Sequence, residues 1–478
     1  MVEFDRSSAQ ALRDEDLLSP SLERRGFRSS YTYIRGLQQM PTLSRVKEEA
    51  GFLSPGQGFR KGRCSTCGSR VGQRSVAGFL LVVALLSQVV LGGTGSPPAY
   101  AAARDGLSCD PWSRVPSPGA GASGSELDGV AVVSASDIWA VGSYFNLTLN
   151  SSQTLAEHWN GSHWQVVPSS NVGTAFNSLV RVAADLSGSA WAVGESTNPA
   201  QGDDQTLVEH WNGSHWQVVP SPNAGTDNND LSDVAVDLSG GVWAVGAYFN
   251  TTHNHEQTLI ERGHGGNWQV VPSPNVGNDN NDLHGVAVEL SGNAWAVGSY
   301  FDPRTGSSRT LIERWNGSHW SIVPSPNIGK GDNRLSGVTV ELSGNAWAAG
   351  EYFNRVVGNF QTLIEHWDGR SWQVVPSLNV GNGDSWLNDV TVDFSGNAWA
   401  VGDYADPNNM LQTLVEHWNG IAWQVVPSAI SAANNSLLLG VDGGGMFSPL
   451  RAVSRVWAVG YSGNQTLTEA SPNQVACS

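Results

Sequence analysis

From Asp110 to its end the chain is written in short apolar, β-rich runs broken by Gly, Pro, Asn and Ser. The stretch from Leu283, LHGVAVELSGNAWAVGSYFDPRTGSSRTLIERWNGSHWSIVPSPN, shows the unit. HGVAVEL and AWAVGSYF are joined by the turn SGN, and RTLIERW and HWSIVP by the turn NGS. A polar loop separates the second run from the third. SPN ends the fourth, because proline lacks the N–H that a ladder needs. Asn-Gly between two β-rich runs predicts a tight hairpin whose central residues both tolerate positive φ. Each unit therefore predicts four antiparallel strands, here a to d, and no helix.

WAVG or WAAG begins at Trp139, Trp191, Trp243, Trp295, Trp347, Trp399 and Trp457, spaced by 52 residues five times and then by 58. Four strands repeated at a period near fifty is the pattern of a β-propeller blade; the coils of a β-solenoid are much shorter. Runs a, b and c occur seven times, the last as VWAVGY and QTLTEA, followed only by SPNQVACS. At the other end CDPWSRVPSP is a d run with no a, b or c before it. Run d also has seven copies, centred on Trp112, Trp164, Trp216, Trp268, Trp320, Trp372 and Trp423. The expected fold over 104–478 is thus an all-β, seven-bladed β-propeller. Its last blade takes its outer strand from Asp110–Pro116, which removes the open edges of the stack. The paired tryptophans of the c–d hairpin are expected to cover apolar blade faces.

Charge divides the chain. Residues 1–103 hold 13 Lys+Arg against 8 Asp+Glu, and the remaining 375 residues hold 13 against 35, with Lys330 their only lysine. An acidic surface of this kind repels phosphates and anionic lipid, so nucleic-acid binding is not expected. At the boundary, Lys61, Arg63, Arg70 and Arg74 precede the apolar run Val76–Leu91 and the A-x-A site Ala99-Tyr100-Ala101. That order is a secretory signal over 76–103, and a membrane anchor only if it stays uncleaved. Either way the rest faces outward, secreted or on the cell surface. Residues 1–75 are an N-terminal extension, disordered or ahead of the true start.

The cysteines sort by the same boundary. Cys64 and Cys67 form a lone CxxC, half of a zinc site without its second half. Cys109 and Cys477 flank the two chain ends that meet in the last blade. A disulfide between them would lock the ring in an oxidising compartment.

The a–b and c–d turns are short and nearly identical between copies, whereas the b–c and d–a loops vary. Variation on a rigid scaffold marks the binding face. Its candidate residues are Asp227, Asp230, Asp279, Asp282, Asp332 and Asp384 on the d–a loops, with Trp386, the one tryptophan outside the repeat pattern. Carboxylates, amides and aromatic platforms there suit a glycan or a peptide. Calcium is the one cofactor such loops suggest, although DNND lacks the ligand spacing of a known calcium loop. His158, His210, His366 and His417 precede a tryptophan on strand c, a repeated outer position that reads as structural. No GxSxG, HExxH or P-loop occurs, and no catalytic or metal residue is assigned.

Residues 109–478 resemble secreted bacterial β-propeller repeat proteins built from WAVG…TLxEHWNGxxWxxVPSPN units, distantly similar to kelch and galactose-oxidase-type propellers. The kelch double glycine is not matched, so the resemblance implies the fold and not those partners or that chemistry. The expected function is non-catalytic: a monomeric extracellular binding or scaffold propeller that holds a glycan or protein on its b–c/d–a face. The alternative is a carbohydrate-active hydrolase or lyase using loop carboxylates.

Overall fold

The computed structural model describes residues 111–121, 124–185, 187–393, 395–429, 434–444 and 455–472. The extension, the signal-like run and all four cysteines, with the expected Cys109–Cys477 bridge, lie outside the described residues. No helix occurs among the described residues, so none is long and apolar enough to cross a membrane.

Seven sheets of four antiparallel strands form the ring. Blade one is β2 (Ser125–Ser134), β3 (Asp137–Asn146), β4 (Ser151–Trp159) and β5 (Trp164–Val167), hydrogen-bonded in that order. Blades two to six repeat the pattern over 177–218, 229–270, 281–322, 333–374 and 385–425. The seventh is β26 (Ser436–Asp442), β27 (Trp457–Ser462) and β28 (Gln465–Ala470), with β1 (Ser113–Arg114) as its outer strand. Ser113 pairs with Ala470 and Arg114 with Glu469. Trp112, just before β1, is 2% exposed and meets Trp399 edge-on at 5.5 Å. The N-terminal strand therefore closes the ring, as the count of strand types requires.

The two tryptophans of the repeated hairpin act between blades. Trp295 on strand b of blade four meets Trp367 and Trp372 of blade five at 5.0 and 5.2 Å, the second nearly perpendicular. The same triad joins Trp139 to Trp211 and Trp216, and Trp457 to Trp159 and Trp164 across the closure. Each such ring pair adds about 0.5–1.5 kcal/mol beyond the area it buries. Blade three carries Gly263 in place of the strand-c tryptophan, and there Trp191 keeps only Trp268, at 5.6 Å.

A second inter-blade contact uses the glutamate of EHW. Glu157, Glu209, Glu261, Glu313, Glu365, Glu416 and Glu469 are all fully buried. In five seams the serine just beyond strand d of the preceding blade donates to the carboxyl, as Ser117 to Glu157 at 2.7 Å, Ser325 to Glu365 at 2.9 Å and Ser428 to Glu469 at 2.8 Å. Burial raises these carboxyls, to about 7 for Glu209 and about 8 for Glu261, Glu313, Glu365 and Glu416.

Two local features differ from expectation. In blade three the c–d turn is a two-residue hairpin, Gly265 and Gly266 both at positive φ, but in blade one, as in the other WNGS and WDGR copies, it is not. Residues 160–163 form the loop, and Asn160 Oδ1 accepts from the amides of Ser162 and His163. The asparagine side chain makes the turn, so only Gly161 takes positive φ, at 92°. Strand a also bulges in every blade, as between Leu231 and Asp233. Beside the bulge the glycine of WAVG lets strands a and b close up: a Cβ on Gly246 would sit 2.0 Å from the Asp230 carbonyl oxygen.

Candidate functional site

The d–a loops are folded by their own side chains. Asn229 Oδ1 accepts from the Ala224 amide at 2.8 Å, and Asn281 and Asn333 do the same in the next two blades. One position earlier, Asp332 accepts from the Ser308 amide at 2.8 Å and Asp384 from the Phe360 amide at 2.7 Å. Asn280 makes the equivalent bond to Glu256, so a neutral amide serves as well. Asp332 and Asp384 thus tie the d–a loop to the end of the b–c loop. Asp227 accepts from the Asn228 amide, and Asp279 from the Asn280 amide with His255 at 3.4 Å.

The remaining candidates, Asp230, Asp282 and Trp386, occupy one column: the second residue of strand a, at the mouth of the ring on this face. Around the ring that column reads Glu126, Ser178, Asp230, Asp282, Arg334, Trp386, Leu437. Opposite in register on strand b stand Ser143, Glu195, Ala247, Ser299, Glu351, Asp403 and Tyr461. Directly opposed residues share a face of an antiparallel pair, so both columns line the mouth.

Blades three to six make it a polar, asymmetric cluster. Asp282 accepts from Ser299 Oγ at 2.7 Å and lies 3.3 Å from His284 Nε2. Despite desolvation, His284 holds the Asp282 carboxyl below its ordinary value, and Asp282 in turn raises the imidazole. Burial pushes Asp230 up to about 6 and raises Glu351, which Arg334 partly offsets. Asp403 is pushed up to about 7 by burial, although Asn388 donates to its Oδ1 at 3.0 Å. Two buried polar atoms of the column pairs, Asp403 Oδ2 and Ser178 Oγ, have no hydrogen-bond partner.

Below the mouth the axis is closed. The bulge residues facing it are Gly129, Arg181, Asp233, Gly285, Gly337, Asp389 and Gly440. Arg181 of blade two donates to the Leu439 carbonyl of blade seven at 3.1 Å. It lies 3.9 Å from Asp233 of blade three and 4.0 Å from Asp389 of blade six. Burial raises Asp233 to about 7 against the pull of Arg181. One guanidinium thus ties together blades that are not neighbours.

The strand-c histidines are structural. His210 and His417 stack on Trp191 and Trp399 at 4.1 Å, and Arg314 takes the same place over Trp295 at 4.7 Å. No group of three or more His, Cys, Asp or Glu among the described residues is arranged to hold a metal. Reading the sequence by loops missed His284, Arg334, Glu351, Asp403 and Arg181. Their signal was a varying letter inside an otherwise repeated strand.

No protein-family model matches the chain, and no curated protein sequence matches it. Among solved structures it is similar to YCF48 bound to D1 peptide, at 13% identity and TM-score 0.48, over 76% of this chain and 96% of that one. The WD40 β-propeller domain of Doa1 is 13% identical, TM-score 0.47, over 75% and 96%. A polysaccharide lyase, ulvan lyase bound to -[GlcA(1-4)Rha3S]-, is 12% identical, TM-score 0.48, over 73% and 94%. Likeness at this level bears on the fold alone.

Proposed function

We propose that the chain is an exported, non-catalytic binding propeller that holds an extracellular glycan or protein at the mouth of the ring on its b–c/d–a face. One observation carries this reading. Blade after blade repeats its tryptophans, glutamates and turns, while the mouth column changes charge, size or polarity at every step but the one from Asp230 to Asp282. A scaffold needs repetition; selective recognition needs difference. Glycan and peptide arrays probed in parallel with the full chain and its Trp386→Ala/Asp403→Asn variant test it. A ligand held by the parent and released by the variant supports the reading. A ligand held equally by both overturns it.

A second reading, a carbohydrate-active hydrolase or lyase, is favoured by one contrast. Asp282 is held below its ordinary value while Asp403 is raised to about 7, the separation that a base and an acid need. A polysaccharide-degradation screen decides it: new ends or unsaturated products that vanish in Asp403→Asn would replace binding by catalysis.

A further inference from the structure

Blades five and six add an apolar track to the mouth. Phe353 meets Phe360 at 5.2 Å, and Phe360 meets Trp386 at 6.2 Å. At the tip of the same b–c loop Val356 is 94% exposed and Val357 57%. Opposite Trp386 in register stands Asp403, 2% exposed, with Oδ2 lacking any donor. The cations of the mouth are engaged elsewhere: His284 lies on Asp282, and Arg334 stands opposite Glu351. The charged neighbour acting on Asp403 is another acid, Glu351.

Asp403 Oδ2 has no donor among the described residues, and a cationic donor brought to it from outside would favour the ionised carboxylate, which accepts hydrogen bonds and donates none. Such a donor also offsets the negative potential of Asp403 and Glu351. A partly buried indole beside that carboxylate leaves an edge on which a cation or an apolar side chain rests. The long-range charge agrees, because the residues after 103 carry 35 acidic side chains against 13 basic ones.

We propose that this sector of the mouth takes a basic–apolar segment of a protein partner. Its ammonium or guanidinium donates to Asp403 Oδ2, and a neighbouring apolar side chain lies along Trp386 and Phe360. The inference rests on the mouth being the binding site and adds the class of ligand. A neutral sugar would supply hydroxyl donors but no charge, and would leave the exposed valines without a role.

Fluorescence anisotropy of the full chain with a fluorescein-labelled peptide of alternating arginine and leucine is the test. The same peptide with citrulline for arginine, a glucosamine hexamer and a cellohexaose serve as competitors. Saturable binding of the arginine peptide is expected, weakened at least about tenfold by citrulline, by Asp403→Asn and by Trp386→Ala, with Trp386→Phe between. Asp368→Asn, in a c–d turn on the other face where other blades already carry Asn, should bind as the parent does. Sugar binding that depends on Asp403, with the peptide unbound, keeps the site and overturns the ligand class. Peptide binding indifferent to Asp403 and Trp386 overturns the site itself. Absence of peptide binding overturns the proposal, provided each variant melts as the parent does.

Discussion

The seams between blades and the mouth of the ring are built on opposite plans. At the seams each blade offers the same partners: a strand-b tryptophan, the strand-c glutamate fully buried in all seven copies, and a strand-d tryptophan beside the strand-d serine. At the mouth no two neighbouring blades agree except Asp230 and Asp282, and even these differ in the shift of their carboxyls. Seams join identical modules, so one solution suffices and is copied. A mouth that recognises something must break that symmetry. The difference separates what holds the ring from what the ring presents.

Arg181 belongs to the holding class although it is not repeated, and it makes the sharpest cut. Replacing it with alanine leaves Asp233 and Asp389, 16% and 17% exposed, without their shared cation. Breaking a buried pair from one side costs about 3–5 kcal/mol. Chemical denaturation should show a loss of that size; a loss below about 1 kcal/mol would move Arg181 out of the scaffold. Trp295→Ala empties a fully buried seam site and should cost about 3–5 kcal/mol by the same measurement.

The seam glutamates set a pH response. An acid raised from its ordinary value of 4.5 to about 8 holds its proton in the folded state over a range where the unfolded chain has released it. Stability then falls as pH rises between those values. Asp282, held low, acts the other way and matters only below its ordinary value of 3.8. Calorimetry should therefore find a lower melting temperature at pH 8.5 than at pH 5. Glu365→Gln should raise the stability at pH 8.5 by an amount on the order of 1 kcal/mol, read as a higher melting temperature, and leave pH 5 nearly unchanged. Equal effects at both pH values would mean that burial does not hold the proton.

The smallest loss of stability should come from the mouth. Asp403→Asn is nearly isosteric and keeps an oxygen for Asn388, so it should shift unfolding by an amount on the order of 1 kcal/mol. A loss approaching that of Trp295→Ala would erase the contrast between the two regions.

The repeat made the fold legible. Seven copies of each strand type, with Trp112 displaced to the front, implied both the blade number and the closure. The bulge was hidden because a register shift inside strand a leaves no mark in its letters. The asparagine-made turn was hidden because Asn-Gly serves two geometries alike. Among the candidate residues, Asp230, Asp282 and Trp386 were found because they are acidic or aromatic near a loop. Asp403 and Glu351 were passed over because they sit on strand b, and only register brings them beside the strand-a column. Asp332 and Asp384 show the converse, acids on the right face whose oxygens already serve backbone amides.

Hydrogen exchange of the full chain, with and without the arginine–leucine peptide, tests the division between seam and mouth most directly. The account predicts slowed exchange in the amides around Trp386, Asp403 and the Phe353–Phe360 loop, and unchanged exchange in c–d turns such as 160–163 and 316–319. Protection centred on those turns, with the mouth unchanged, would contradict it.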